Sequence, residues 1–287
     1  NNIGVENVEV RHVYSRGIQL YNAGEVHQIR NSRVEDVCLR LHPNPAVYTQ
    51  AAGIYSNDPA IISNNIISDA GTGVMVEGQI GQIASRIENN DITRTEASGV
   101  RIDMRNNTGA RNIVVQNNRI DGVGKAGIEA WGLNSQSQIG SQDPNQRNVI
   151  TVNTRPNRAP AAGIQVAYSA GASVVNNEVF TQGLENGINL FHNDNAASWV
   201  RLHANRLVRS GAYAVNPQTG QATGIFLSDN GAYLDGTPGA TYATITSAEI
   251  EGYNIGVFTN RTGLRDVEIL VGGDSPDLST TIRNCET

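Results

Sequence analysis

Along this chain, short apolar runs recur that alternate with polar residues and open on Gly followed by Ile or Val. They are Gly17-Ile18-Gln19-Leu20, Gly53-Ile54-Tyr55-Ser56, Gly73-Val74-Met75-Val76, Gly99-Val100-Arg101-Ile102, Gly127-Ile128-Glu129-Ala130, Gly163-Ile164-Gln165-Val166, Gly187-Ile188-Asn189-Leu190, Gly224-Ile225-Phe226-Leu227 and Gly256-Val257-Phe258-Thr259. Between them lie β-branched runs broken by an Asn pair, as in Ile62-Ser63-Asn64-Asn65-Ile66, Ile87-Glu88-Asn89-Asn90-Asp91-Ile92, Val115-Gln116-Asn117-Asn118-Arg119-Ile120 and Val174-Val175-Asn176-Asn177-Glu178-Val179. Period-2 alternation in segments too short for helices predicts strands, about three per repeat.

Successive glycines are 20 to 37 residues apart, which fits one rung of a stacked array with variable insertions. Helical repeats would not carry such β-rich phrases, and hairpins would need paired two-residue turns that are missing. The pattern therefore predicts an all-β, parallel β-helix solenoid of about nine rungs spanning residues 1–287 as one domain. Ile54, Val74, Val100, Ile128, Ile164, Ile188 and Ile225 should form one internal stack. Asn tolerates the left-handed backbone of a sharp turn, and its amide can bond to equivalent amides above and below. The expected column is Ser32, Asn65, Asn90, Asn118, Asn153, Asn177 and Asn205, lapsing at Ala248.

With its Asn-bearing turn and Gly-led strand, the repeat resembles the right-handed parallel β-helix of the pectin-lyase-like superfamily from about Val8 to Ile282. The resemblance implies a polysaccharide partner: the superfamily includes lyases, glycoside hydrolases, uronan epimerases, fructan transferases and phage tailspikes. Its motifs for particular activities are mostly missing. Asp58-Pro59 and Asp143-Pro144 lack the His that follows in mannuronan epimerases, and no Gly-His-Gly or Trp-Ile-Asp-His occurs. The resemblance also implies a secreted, cell-surface or phage-particle location, and a trimer for a tailspike-like chain.

Composition narrows the partners. A net charge of −6 with no basic run argues against nucleic acid, and no twenty-residue apolar stretch exists for a membrane-spanning helix. Cys38 and Cys285 fall near opposite ends of the stack, too far apart for a disulfide, and read as two buried thiols. The chain starts at Asn1 and enters the first rung at once, so it reads as part of a longer protein whose amino-terminal cap is missing. Lys125 stands alone beside twenty arginines, a ratio that genome composition explains.

Candidate chemistry follows from alternation. In each Gly-led strand the residues two and four after Gly should face outward and stack into columns. The first column is Gln19, Tyr55, Met75, Arg101, Glu129, Gln165, Asn189, Phe226 and Phe258; the second includes Glu77, Asp103, Trp131, Phe191 and Ser228. Aromatic, amide and charged side chains of this mixture stack on sugar rings and bond to hydroxyls. Glu77, Asp103 and Glu129 come from successive rungs at spacings glycoside hydrolysis uses, which makes them catalytic candidates. Arg101, Lys125, Tyr55, Trp131, Asn189 and Phe191 would bind substrate. The alternative is a row of exposed acids paired with Arg101 and Lys125. A second set, Tyr168, His192 and Asp229, lies five residues after Gly on consecutive rungs and suits proton abstraction by a lyase or epimerase. Its alternative is a hydrogen-bonded turn stack without chemistry. Longer segments at 38–52, 132–146, 209–223 and 228–241 should wall a groove along this face. No cofactor is expected; no Cys/His cluster of zinc spacing occurs, and calcium is the one metal that stacked Glu77 and Asp103 would suit.

Overall fold

The computed structural model describes residues 3–21, 26–37, 51–78, 84–105, 112–153, 162–183, 185–191, 199–211, 222–229, 240–260, 267–273 and 278–285. These residues form a right-handed parallel β-helix of three sheets, two of ten strands and one of nine. The first sheet runs from Gly4–Glu6 to Val267–Val271, the second from Glu9–Val13 to Thr281–Arg283, and the third from Arg16–Leu20 to Ile255–Asn260. Every strand pairing is parallel, and the chain visits the three sheets in the same order on each rung. The Gly-led phrases are the nine strands of the third sheet.

Each sheet sends branched side chains into the interior, the third sheet in two columns. Ile54, Val74, Val100, Ile128, Ile164, Ile188 and Ile225 are fully buried and in register, as alternation predicts. Ile62, Ile87, Val115, Ile139 and Val174 form the matching column of the first sheet, and Ile67, Ile92, Ile120, Ile150 and Val179 that of the second. One continuous core results. β-Branched residues suit it because their stiff side chains pack on the pleat at little entropic cost.

Two corners explain the repeated phrases. Between the first and second sheets the Asn pair divides its work. The first member takes the left-handed turn, with φ of 57° at Asn64, 59° at Asn89, 52° at Asn117 and 50° at Asn176. The second turns inward and builds the ladder. Asn90 Nδ2 and backbone N–H both donate to Asn118 Oδ1 at 3.0 Å, and Asn118 Nδ2 and N–H donate likewise to Asn148 Oδ1. The column is thus Ser32, Asn65, Asn90, Asn118, Asn148, Asn177 and Asn205. Asn153 does not belong to it: it is exposed, after the strand Val149–Val152, and its rung is represented by Asn148. The sequence signal fails here because residues 141–147, including a 3₁₀ turn at Pro144–Gln146 capped by Asp143, separate Asn148 from its first-sheet strand. For the same reason residues 132–146 are not one long insertion, since they contain the first-sheet strand Gln138–Gly140.

At the corner into the third sheet, Gly is required by close approach. A Cβ on Gly127 would stand 2.2 Å from Ile150 Cγ2 and 2.6 Å from the carbonyl oxygen of Gly163; the equivalent atoms crowd Gly73 and Gly99 equally. The register skips these glycines. The residue before each Gly therefore faces outward together with the residue two after it, giving a third outer column that simple alternation misses.

Candidate functional site

The outer faces of the sheets differ. On the second sheet, acids and arginines bond to one another across rungs. Arg119 bridges Asp91 and Asp121 at 3.2 and 3.1 Å, and Arg206 meets Glu178 at 2.5 Å and Glu249 at 3.3 Å. Arg33 holds Glu35 below the ordinary carboxylate range through a side-chain hydrogen bond. Such a face is charged but internally compensated.

The third sheet carries the predicted columns in the predicted register: Arg101 lies beside Met75 and Glu129, Glu129 beside Gln165, Gln165 beside Asn189, and Asp103 beside Glu77 and Trp131. Their surroundings differ from expectation. Much of this face is a second buried layer outside the sheet and not a set of solvent-facing columns. Tyr55 and Met75 pack with Ala52, while Trp131, Ala167, Phe191 and Phe226 form a separate cluster joined by Tyr168 and Phe258. Phe191 meets Phe226 edge-on at 5.8 Å, and Phe226 stacks on Phe258 at 5.8 Å. Among the described residues of this face, the side chains of Glu77, Arg105 and Lys125 are 27 %, 34 % and 29 % exposed.

Each carboxylate there has a cationic neighbour. Asp103 accepts from Arg105 Nε and Nη2 at 3.0 and 2.7 Å, a two-toothed pairing that fixes its plane. Glu129, 1 % exposed, accepts from Lys125 Nζ at 2.5 Å and from Ser98 Oγ at 2.9 Å. Glu77 lies 4.0 Å from Arg101 and accepts from the Tyr55 hydroxyl at 3.4 Å. Burial, with Glu77 beside it, pushes the Tyr55 phenol above its usual range. The guanidinium carbons of Arg101 and Arg105 lie 4.8 and 4.6 Å from the Trp131 ring centre, and that of Arg105 lies 5.6 Å from Tyr168. Ion pairing of the acids is therefore what the geometry shows. Lys125 takes Glu129, which is buried where an exposed acid is expected, the partner of Asp103 is Arg105, and Arg101 faces Glu77.

Deeper in the face a polar row continues without charge. Gln165 is 2 % exposed and Asn189 fully buried; Asn189 Oδ1 accepts from Asn186 at 2.8 Å. Gln165 Nε2, Asn189 Nδ2 and Trp131 Nε1 are buried with no hydrogen-bond partner among the described residues. Buried donors are nearly always satisfied, so three on neighbouring rungs of one face set this row apart from the rest of the described residues.

The second set is only partly visible. His192 lies outside the described residues. Tyr168 is half-buried in a left-handed turn with φ of 51°, and Asp229 is fully buried. Much of the segments 38–52, 209–223 and 228–241 also lies outside the described residues, as does Cys38; Cys285 is half-buried and its thiol is pushed up by burial. Among the described residues no three His, Cys, Asp or Glu side chains gather into a metal-binding group. Glu77 and Asp103 do not fit calcium, since Asp103 is already committed to Arg105.

Ser98 and Arg105 were missed at the sequence level. Ser98 belongs to the column before Gly, which the skipped register turns outward. Arg105 follows its strand by two residues, and nothing in the repeat marks that position.

A family model described as a right-handed beta helix region matches residues 1–132. No curated protein and no solved structure matches the chain.

Proposed function

We propose that the outer face of the third sheet binds an extended polysaccharide and cleaves its glycosidic bonds, with Asp103 and Glu129 as the carboxylate pair. The observation that carries this reading is the set of buried donors of Trp131, Gln165 and Asn189, without partners among the described residues, beside those carboxylates. Aromatic rings flank them along the stack, and a polymer lying across the rungs would meet both. A rung spacing of about 4.8 Å and a two-residue offset of about 6.6 Å set the α-carbons of Asp103 and Glu129 about 8 Å apart. That separation leaves room for water between the carboxyl groups. One carboxylic acid would protonate the departing glycosidic oxygen, and the other would take a proton from the water attacking the anomeric carbon.

A non-catalytic, sugar-reading surface is the second reading, favoured by the ion pairs that already occupy all three acids. Assaying a polysaccharide panel for new reducing ends and for the absorbance of unsaturated uronates separates the two. Hydrolysis that is lost in Asp103→Asn and Glu129→Gln, with polymer binding retained, supports the first. Binding without products supports the second. Absorbing products would instead direct attention to Tyr168, His192 and Asp229.

A further inference from the structure

Resting on the polysaccharide reading, we infer that the subsite formed by Trp131, Gln165 and Asn189 takes a neutral, hydroxyl-rich sugar and discriminates against a uronate. The argument is one of charge and hydrogen-bond inventory. A sugar carboxylate entering a largely buried site needs a compensating cation, because removing it from water unpaired is far more costly than removing a hydroxyl. The cations bordering this subsite among the described residues face carboxylates. Arg105 grips Asp103 with two bonds, Lys125 holds Glu129 at 2.5 Å, and Arg101 lies between Glu77 and the Trp131 ring. Each brings one positive charge against one carboxylate, so these three pairs are balanced before any ligand arrives.

Apart from Arg101, whose charge faces Glu77 at 4.0 Å, the donors that line the subsite among the described residues are uncharged. Gln165 Nε2, Asn189 Nδ2 and Trp131 Nε1 are neutral N–H donors without partners among the described residues. Gln165 sits directly between Glu129 and Asn189 in the column, about 4.8 Å from each across the rungs. An anion bound at Gln165 would therefore be one rung from the buried carboxylate of Glu129. A sugar hydroxyl there can accept from the amide and, with its own proton, donate toward Glu129, satisfying both neighbours. That two-way capacity is the hydroxyl's: an ionised carboxylate can only accept, so it satisfies the amide but not Glu129, whereas Arg or Lys in place of the amide would favour the anion.

The test is calorimetric titration of the full chain with neutral oligosaccharides (gluco-, manno-, galacto- and xylo-hexaoses) and with oligogalacturonate and oligomannuronate of equal length. It is repeated on Gln165→Met and Trp131→Phe, which keep side-chain volume or ring and delete one donor each. Binding of a neutral oligosaccharide that weakens about 3- to 10-fold in each variant, the loss expected for one neutral hydrogen bond, supports the inference when the unfolding midpoint is unchanged or higher. A merely structural amide would instead lower that midpoint and leave affinity alone, which overturns the assignment. Preferential binding of a uronate overturns the neutral-sugar inference and leaves the polysaccharide reading standing; binding of neither class removes both.

Discussion

Replacing Asn118 by Ala separates the ladder from the turn it accompanies. The Asn118 amide donates to the carbonyl oxygens of Ile87 at 2.9 Å and Gln116 at 3.0 Å and to Asn148 Oδ1, while its oxygen accepts from the N–H and side-chain amide of Asn90. Truncation leaves the buried Asn90 N–H without its acceptor and takes one donor from the Ile87 carbonyl, whereas Asn148 Oδ1 keeps the Asn118 N–H. At about 1 to 3 kcal/mol for each buried group deprived of its partner, and with water able to enter part of the vacated space, the cost should be about 2 to 4 kcal/mol. Asn117 provides the internal control. Its side chain is exposed and its φ is 52°, so Asn117→Gly relieves the left-handed turn and should change stability by no more than a few tenths of a kcal/mol. Urea denaturation followed by the emission of Trp131, which is 5 % exposed when folded, measures both. A cost below about 0.5 kcal/mol for Asn118→Ala, or equal costs for the two variants, would refute the division of labour within the Asn pair.

Gly127→Ala forces a Cβ against a neighbouring carbonyl oxygen as well as Ile150, so it should destabilise by about 1 to 3 kcal/mol or more, while Gly4→Ala, which meets nothing within 4 Å, should be silent in the same urea titration. Tyr253 is fully buried among apolar residues and accepts from Thr181 Oγ1 at 3.1 Å; burial drives its phenol well above the ordinary value of 10.0. Its contribution to stability is complete below pH 10 and falls as pH rises toward the folded-state value, by about 1.4 kcal/mol per pH unit. Urea midpoints at pH 9 and pH 11 should therefore differ less in Tyr253→Phe than in the natural chain, and an equal difference would show that Tyr253 does not set the alkaline limit.

Much of this fold is legible because a solenoid repeats one local problem. The register of Arg101, Glu129, Gln165 and Asn189 follows from counting after each Gly, and the interior column from Ile54 to Ile225 follows from alternation. Coverage is not encoded in that count. Alternation says that Tyr55, Asn189 and Phe191 leave the core, but not that they enter a second buried layer, which depends on packing beyond their own rung. The Asn ladder was misplaced at one rung for a local reason, the segment that parts Asn148 from Gln138–Gly140. Arg105 escaped because a turn residue outside the strand has no fixed column. Lys125 illustrates the opposite case: its singularity in the composition fits a bland cause, yet its side chain holds the one fully buried acid of the candidate pair.

The most direct measurement uses the chain's two tryptophans. With Trp199 replaced by Phe, Trp131 becomes the only indole, and its emission reports the centre of the proposed sugar face. Titration with whichever polysaccharide is retained in affinity electrophoresis should produce a saturable shift in Trp131 emission, with the same midpoint as binding and with that midpoint moved about 3- to 10-fold higher in Gln165→Met. A polysaccharide that binds while Trp131 emission stays unchanged would place the sugar elsewhere on the helix and contradict the account.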